Sequence, residues 1–276
     1  MRKVLLPCLA VVLTALLFAL PLVLLVVQAF LPPFEAGRVA QGAAPLQWLP
    51  SSGSAEQFSM LFAQYQDFWT CMVRNLLWAL ATSLVQVAVS VVNGYLLAKY
   101  KGRLFALAGA LCVFAMIMPL QMFLISTYRI ADALGLVNTS ITLYLPLAFA
   151  PFGTFFMRQV CVKLPNEWIE QFRMEGKKFR DLLRLVIFPF CRMSAFVLFL
   201  LSFVECWGMV EQPLILLSSK AYYPLSMLLY DMRISQPQVI YAASVVSLLP
   251  IVLFVLCRGA ARGISALLPA NHGQTK

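Results

Sequence analysis

The chain has 276 residues, of which 62% are hydrophobic and only 12% charged, and its mean hydropathy is +0.85. A soluble domain averages about 45–50% apolar residues and cannot hide this much apolar surface, so a bilayer is required. Disorder, a collagen-like repeat and a disulfide scaffold are excluded by the same arithmetic, and the net charge of +10 becomes a question of placement relative to the membrane rather than of nucleic-acid binding.

A span takes about 20 mostly apolar residues. Six stretches qualify: 5–31, 76–98, 104–127, 141–157, 193–217 and 239–257. The first follows Arg2 and Lys3, but its apolar run is about twice a signal-peptide core and closes on no small-residue cleavage site, so it reads as a span. Pro21, Pro119, Pro146 and Pro151 fall inside spans, which predicts kinked helices packed on one another. Between the first two spans lies the longest external segment, 32–71. Its first half is rich in Pro, Gly, Ala and Ser, and 56–69 reads as a short amphipathic helix lying along the surface.

Of the 21 Lys and Arg residues, only Arg38, Arg74, Arg129, Lys220 and Arg233 fall on one side of these spans. All others lie on the opposite side, within 2–3, 99–103, 158–192 and the last residues. The positive-inside rule therefore places both ends and the long basic loop in the cytoplasm. Seven cysteines offer no external pair: Cys71 alone lies beside the outer face. Cys8, Cys112, Cys191, Cys206 and Cys257 sit in or at apolar runs and Cys161 just past one, as small buried hydrophobes. His272 is the only histidine, too little for a metal site or a histidine relay. No G-x-x-x-x-G-K-[ST] loop is present, so if energy drives transport, another chain supplies it.

The loop 158–192 carries most of the information: RQVCVKLPNEWIEQFRMEGKKFRDLLRLVIFPFCR. Pro165–Asn166 predicts a helix start, with Asn166 capping free N–H groups and Glu167 at the positive end of the dipole. Trp168, Ile169 and Phe172 share a face, and Gly176 is placed to end the helix in the left-handed conformation. A second helix follows, with Phe179, Leu182, Leu183 and Val186 on one face. This helix–Gly–helix element is apolar on one side, and the residues alone leave two partners open for it: the inner leaflet or another protein.

Its spacing resembles the EAA signature of ABC importer permeases, E-A-A-x3-G-x9-I-x-L-P. Glu170, Gly176 and Pro189 match, while Gln171 and Phe172 replace the alanines and Glu175 replaces the usual Asp. The resemblance extends over roughly residues 70–260. RNLLWALATSLVQVAVSVVNGYLLAKY is similar to the second span of sugar importer permeases. MIMPLQMFLISTYRIADALGLVNTSITLYLPLAFAPFGTFFMRQ resembles their M-x-P-x-Q…L-G-L-x-N-T…P-F-G-x-F-x-x-R segment. LSFVECWGMVEQPLILL resembles their fifth span, with Gly208 where Asn is usual. The nearest likeness is the smaller permease of maltose-type carbohydrate importers.

The resemblance implies an all-α membrane protein of six transmembrane helices with a cytoplasmic helix–Gly–helix coupling loop. Residues 1–31 form the first span, 32–71 an external loop, 72–262 the permease core with its coupling loop at 158–192, and 263–276 a cytoplasmic tail. It also implies a second homologous permease, two ATPase subunits or domains holding ATP and Mg, and an external solute-binding protein that delivers a sugar. The chain itself is expected to be a non-enzyme without cofactor. Glu170, Gln171, Phe172, Glu175, Gly176 and Pro189 are the expected ATPase-coupling residues, with the face around Phe172 filling a groove on the ATPase and Glu170 in its rim.

A carboxylate at mid-bilayer costs about 3 kcal/mol on insertion scales, so Glu205 is expected to face a packed interior or a wet path. On a continuous helix, Glu205 and Gln212 share a face with Gly208 between them, and Glu211 is displaced by about 120°. Glu205, Gly208 and Gln212 are therefore translocation-path candidates; Gln121 and Asn93 are weaker ones, and a packing role is the alternative for each. Tyr222, Tyr223 and Tyr230 suit either an interfacial aromatic belt or a binding-protein contact. The rival functions are an ABC permease for polyamine, phosphate or a similar solute, an ion-coupled carrier, and an intramembrane enzyme. The last would pair Glu205 with Glu211, which lie about 9 Å apart along a helix and on different faces.

Overall fold

The computed structural model describes residues 2–50 and 52–252, and its regular structure there is entirely helical. The helices are α1 (Arg2–Ala29), α2 (Pro33–Ala40), α3 (Glu56–Gln64), α4 (Gln66–Lys99), α5 (Arg103–Ile117), α6 (Leu120–Ala133), α7 (Ser140–Ala148), α8 (Pro151–Val162), α9 (Asn166–Met174), α10 (Phe179–Leu182), α11 (Phe188–Trp207), α12 (Glu211–Leu216), α13 (Leu225–Ser235) and α14 (Ile240–Ser247). Among the described residues four stretches are long and apolar enough to cross a membrane: Val11–Ala29, Gln66–Lys99, Ser140–Val162 and Phe179–Trp207. Two bent pairs, Arg103–Ile117 with Gln121–Ala133 and Leu225–Ser235 with Pro237–Val252, bring the number to six if each is one span. The end of the sixth expected span with Cys257, the basic residues Arg258, Arg262 and Lys276, His272 and the tail 263–276 lie outside the described residues.

Two of the expected spans are not the continuous helices that hydropathy suggests. The third breaks at Met118–Pro119, because Pro119 lacks an N–H and holds Met118 in an extended conformation (ψ 136°). The fifth ends at Trp207 instead of running to 217, and the chain helical again from Glu211 is the separate α12. At its other end the fifth span begins earlier than hydropathy indicates. A π-helical turn, Leu183–Ile187, joins α10 to α11 without interruption. The helix after Gly176 is thus the first part of this span.

The chain forms two compact units, Met1–Thr70 with Leu228–Lys276, and Cys71–Met227. In the first, α1 packs on α14, and α2 lies on the turn Pro237–Val239. The segment 56–69 is not one helix lying free along a surface: it breaks at Tyr65, and its latter part begins α4. Its first part is tied down by Leu61 and Gln57, both wholly buried. The Gln57 amide donates to the carbonyl oxygens of Gln28 (2.8 Å) and Leu31 (2.9 Å), satisfying acceptors at the end of α1.

In the second unit α4 and α8 approach closely. A Cβ at Gly94 would lie 2.7 Å from the Met157 and Arg158 backbone, and one at Gly153 would collide with Ser90 Oγ. Thr82, Ser83, Gln86 and Ser90 form a buried polar stripe along the same helix. Small and hydroxyl-bearing side chains at such a seam let two backbones touch where lipid offers no hydrophobic drive to associate.

Candidate functional site

The first region of interest is the segment around α9. Asn166 does not cap the helix as expected: Pro165 holds the cap position, and Asn166 Oδ1 accepts from Lys99 Nζ at 2.9 Å. The same ammonium donates to the Leu164 carbonyl oxygen at 2.6 Å, so the end of α4 is tied to the start of α9. Glu167 lies in the first turn of the helix, as expected. Gly176 has φ +68°, the left-handed conformation its position demands, and its N–H donates to the Arg173 carbonyl oxygen at 3.0 Å.

The apolar face of α9 turns inward. Ile169 and Phe172 join one buried cluster with Tyr95 of α4, Met157 and Cys161 of α8, Leu182 of α10, Ile187 of the π-helical turn and Cys191 of α11. Phe172 is 8% exposed, with Lys177 Nζ 5.1 Å from its ring centroid. Phe172 therefore does not project freely from α9: most of the ring is buried against its own bundle. The Cys161 and Cys191 sulfurs, 3.7 Å apart as free thiols, close the same cluster. Hydropathy could not have paired them, since they stand on different helices.

The outward side of α9 carries Glu170, Gln171, Glu175 and two exposed apolar residues: Trp168, which belongs to the face expected to dock, and Met174, 87% exposed, for which the sequence carries no such expectation. Glu175 pairs with Lys177 at 2.6 Å. An open cleft of about 590 Å³ runs beside this face, lined by Trp168, Gln171, Phe172, Glu175, Leu185, Val186, Pro189 and Phe190. Five of the six expected coupling residues are thus gathered around one surface: Glu170 on its exposed side, and Gln171, Phe172, Glu175 and Pro189 in the cleft wall. Gly176 sets the turn below.

The second region is the break after α11. Gly208 donates its N–H to the Val204 carbonyl oxygen at 3.0 Å and ends the helix. Glu205 and Gln212 do not share a helical face as expected, because no single helix connects them. They nevertheless line one cavity of about 400 Å³, together with Thr127, Thr142 and apolar residues of α5 to α8 and α12. Gly208 lies at the break and is not part of that lining; Gln121 is not either, its amide donating instead to Glu211 Oε2 at 3.1 Å. Asn93 is exposed.

Polar side chains satisfy backbone groups around the break. Asn75, wholly buried, accepts from the Tyr144 hydroxyl at 2.8 Å and donates to the Trp207 carbonyl oxygen at 3.5 Å, an acceptor freed where α11 stops. Ser226 Oγ donates to the Met209 carbonyl oxygen. Asn138, the one non-glycine with positive φ (+64°) among the described residues, accepts from the Ser218 and Ser219 N–H groups through Oδ1. Its side chain is among the few that tolerate that conformation, and this was the available sequence signal. Tyr223 is held through its carbonyl oxygen by Arg74 at 2.7 Å, while Tyr222 and Tyr230 are exposed.

Residues 90–264 match the family of binding-protein-dependent transport system inner membrane components. The chain belongs to that family. The match takes in α9, the cleft and the cavity at Glu205. As an inner membrane component of such a system, the protein is membrane-integral and a transport subunit. It is 25% identical over 241 residues to the arabinooligosaccharides transport system permease protein AraQ of Halalkalibacterium halodurans, covering 86% of this chain and 85% of the relative. It is 21% identical over 181 residues to the sn-glycerol-3-phosphate transport system permease protein UgpE of Escherichia coli, covering 64% of each chain. Its fold resembles a chain of a bacterial ABC transporter involved in the import of the acidic polysaccharide alginate. The TM-score is 0.78 at 17% identity, with 94% of this chain and 96% of that chain covered. The two regions differ in chemistry: one is an exposed polar and apolar face whose other side packs on several helices, the other a largely apolar cavity that carries Glu205, Gln212, Thr127 and Thr142.

Proposed function

We propose that this chain is one permease subunit of an ATP-driven importer for a sugar or sugar-derived solute, forming half of the translocation path. The observation that carries the reading is the shared core of α9 with α4, α8 and α11. A segment packed to density against three spans cannot shift without moving them, because close-packed interiors transmit displacement. The relatives favour a carbohydrate over polyamine or inorganic phosphate: their names refer to arabinooligosaccharides, sn-glycerol-3-phosphate and alginate.

In this reading the loop 158–192 faces the cytoplasm, as its basic residues favour. An ATPase subunit holding ATP and Mg docks on the outward side of α9, with Glu170, Gln171 and Glu175 as polar contacts and Trp168 and Met174 as apolar anchors. Phe172, Gly176 and Pro189 position that face rather than touch the partner. A second permease completes the path, and an external binding protein delivers the solute. Glu205 and Gln212 supply hydrogen-bond acceptors and donors to a hydroxyl-rich cargo. A carboxylate left exposed on a membrane helix is costly in lipid, which supports a wet path or a partner covering it.

The test is reconstitution with the cognate permease, ATPase and binding protein in sealed vesicles. Sugar uptake that needs ATP, and ATP hydrolysis stimulated by the loaded binding protein, are the expected results. Uptake driven by an ion gradient without ATP would overturn the reading.

A further inference from the structure

A cavity of about 570 Å³ between α5 and α8, at the end of α4, has no role in the function proposed above. It lies at the end of the bundle where Lys99 meets Leu164 and Asn166. Its lining includes two basic side chains, Lys101 and the half-buried Arg158, and no acidic residue. Neither cation has an ion pair or hydrogen bond among the described residues. A guanidinium withdrawn from water beside hydrocarbon requires an anion to offset its lost hydration. The lining also includes Ala106 and, one helical turn further along α5, the adjacent Gly109 and Ala110. No residue of α5 is buried by the rest of the chain. The cavity thus brings two cations beside small residues on a helix that the described chain leaves bare.

We propose that this cavity binds an anionic phospholipid, its phosphodiester held between Lys101 and Arg158 and an acyl chain laid along Ala106, Gly109 and Ala110. Arg158 suits a phosphate because its planar fork donates two parallel hydrogen bonds. The acyl chain accounts for the small residues, which a soluble anion does not need. Which leaflet supplies the lipid rests on the cytoplasmic placement proposed above; the site itself does not.

The experiment counts phospholipids retained by the purified full-length protein in its membrane complex, by native mass spectrometry after exchange into discs of phosphatidylcholine with added phosphatidylglycerol. Each basic group near an anionic lipid surface is worth about fivefold in binding. Retained phosphatidylglycerol is therefore expected to fall at least about fivefold in Lys101→Gln/Arg158→Gln, with phosphatidylcholine unchanged. Gly109→Leu, which keeps both charges and fills that part of the cavity, is expected to lower it too. Equal retention in wild type and both variants overturns the proposal. Displacement of the lipid by millimolar inorganic phosphate overturns it also, by making the site a simple anion pocket. Binding-protein-stimulated ATP hydrolysis, measured on the same wild-type preparation, reports on the proposed function separately.

Discussion

Lys99 donates to Asn166 Oδ1 at 2.9 Å and so joins the last turn of α4 to the first turn of α9. A second bond from the same ammonium to the Leu164 carbonyl oxygen, at 2.6 Å, doubles the tie between the two segments. Its place in the account is mechanical, since force applied to α9 has two routes into α4: this bond and the buried cluster that contains Ile169, Phe172 and Tyr95.

Replacing Lys99 with Met keeps the stem and removes both bonds. The expected loss is about 1–2 kcal/mol, the value of a charge-assisted bond discounted for its exposure to water. Hydrogen exchange should quicken in the α9 backbone while α11 keeps its protection. Unchanged exchange in α9 would show that the buried cluster alone holds the segment.

Gly176 distinguishes backbone strain from steric fit. Its φ is +68°, yet a Cβ there would meet nothing within 4 Å. Gly176→Ala and Gly176→Val should therefore lose similar amounts, about 1–2 kcal/mol, and Gly176→Asn should lose less. Thermal unfolding of the three variants decides it. A much larger loss for Val than for Ala would mean that the site is crowded.

Gly94 presents the opposite case, with negative φ but no space. A Cβ there must displace the Met157 and Arg158 backbone. Gly94→Ala should cost about 1–3 kcal/mol by overpacking the seam between α4 and α8. The readout is the yield and melting temperature of the membrane-inserted protein; a wild-type melting temperature would contradict the close approach.

For Glu205, conversion to Gln preserves shape and removes charge. If the cavity it lines is part of the path, transport should change while assembly and insertion stay largely intact. Poor assembly with normal transport per assembled complex would assign Glu205 to packing instead.

Much of this was legible in the sequence because membrane insertion imposes strong rules. Apolar length located the helices, and the spacing Glu170–Gly176–Pro189 located the loop and the positive φ of Gly176. Two kinds of feature were not legible. Breaks within apolar runs leave hydropathy unchanged, so the interruption at Gly208 and the separate α12 were hidden. Inward and outward faces of α9 also look alike when the helix has apolar residues around much of its circumference. Phe172 is mostly buried against its own bundle, and Met174 was overlooked because a single exposed methionine carries no periodic signal. Tertiary pairs such as Cys161 with Cys191 depend on helix crossing, which no local pattern encodes.

The division of α9 into an anchored face and a docking face is the central claim, and the affinity of the cognate ATPase for membranes bearing Trp168→Ala/Met174→Ala tests it most directly. Burying each of these side chains is worth about 1.5–3 kcal/mol, so association should weaken at least about tenfold. The melting temperature of the permease should fall only slightly, because Met174 lies outside the buried cluster and Trp168 touches its margin through one edge contact with Phe190 at 6.3 Å. Phe172→Ala in parallel should destabilise the permease itself by about 3–5 kcal/mol. Wild-type ATPase affinity in the Trp168/Met174 variant would contradict the account and leave that face without a partner.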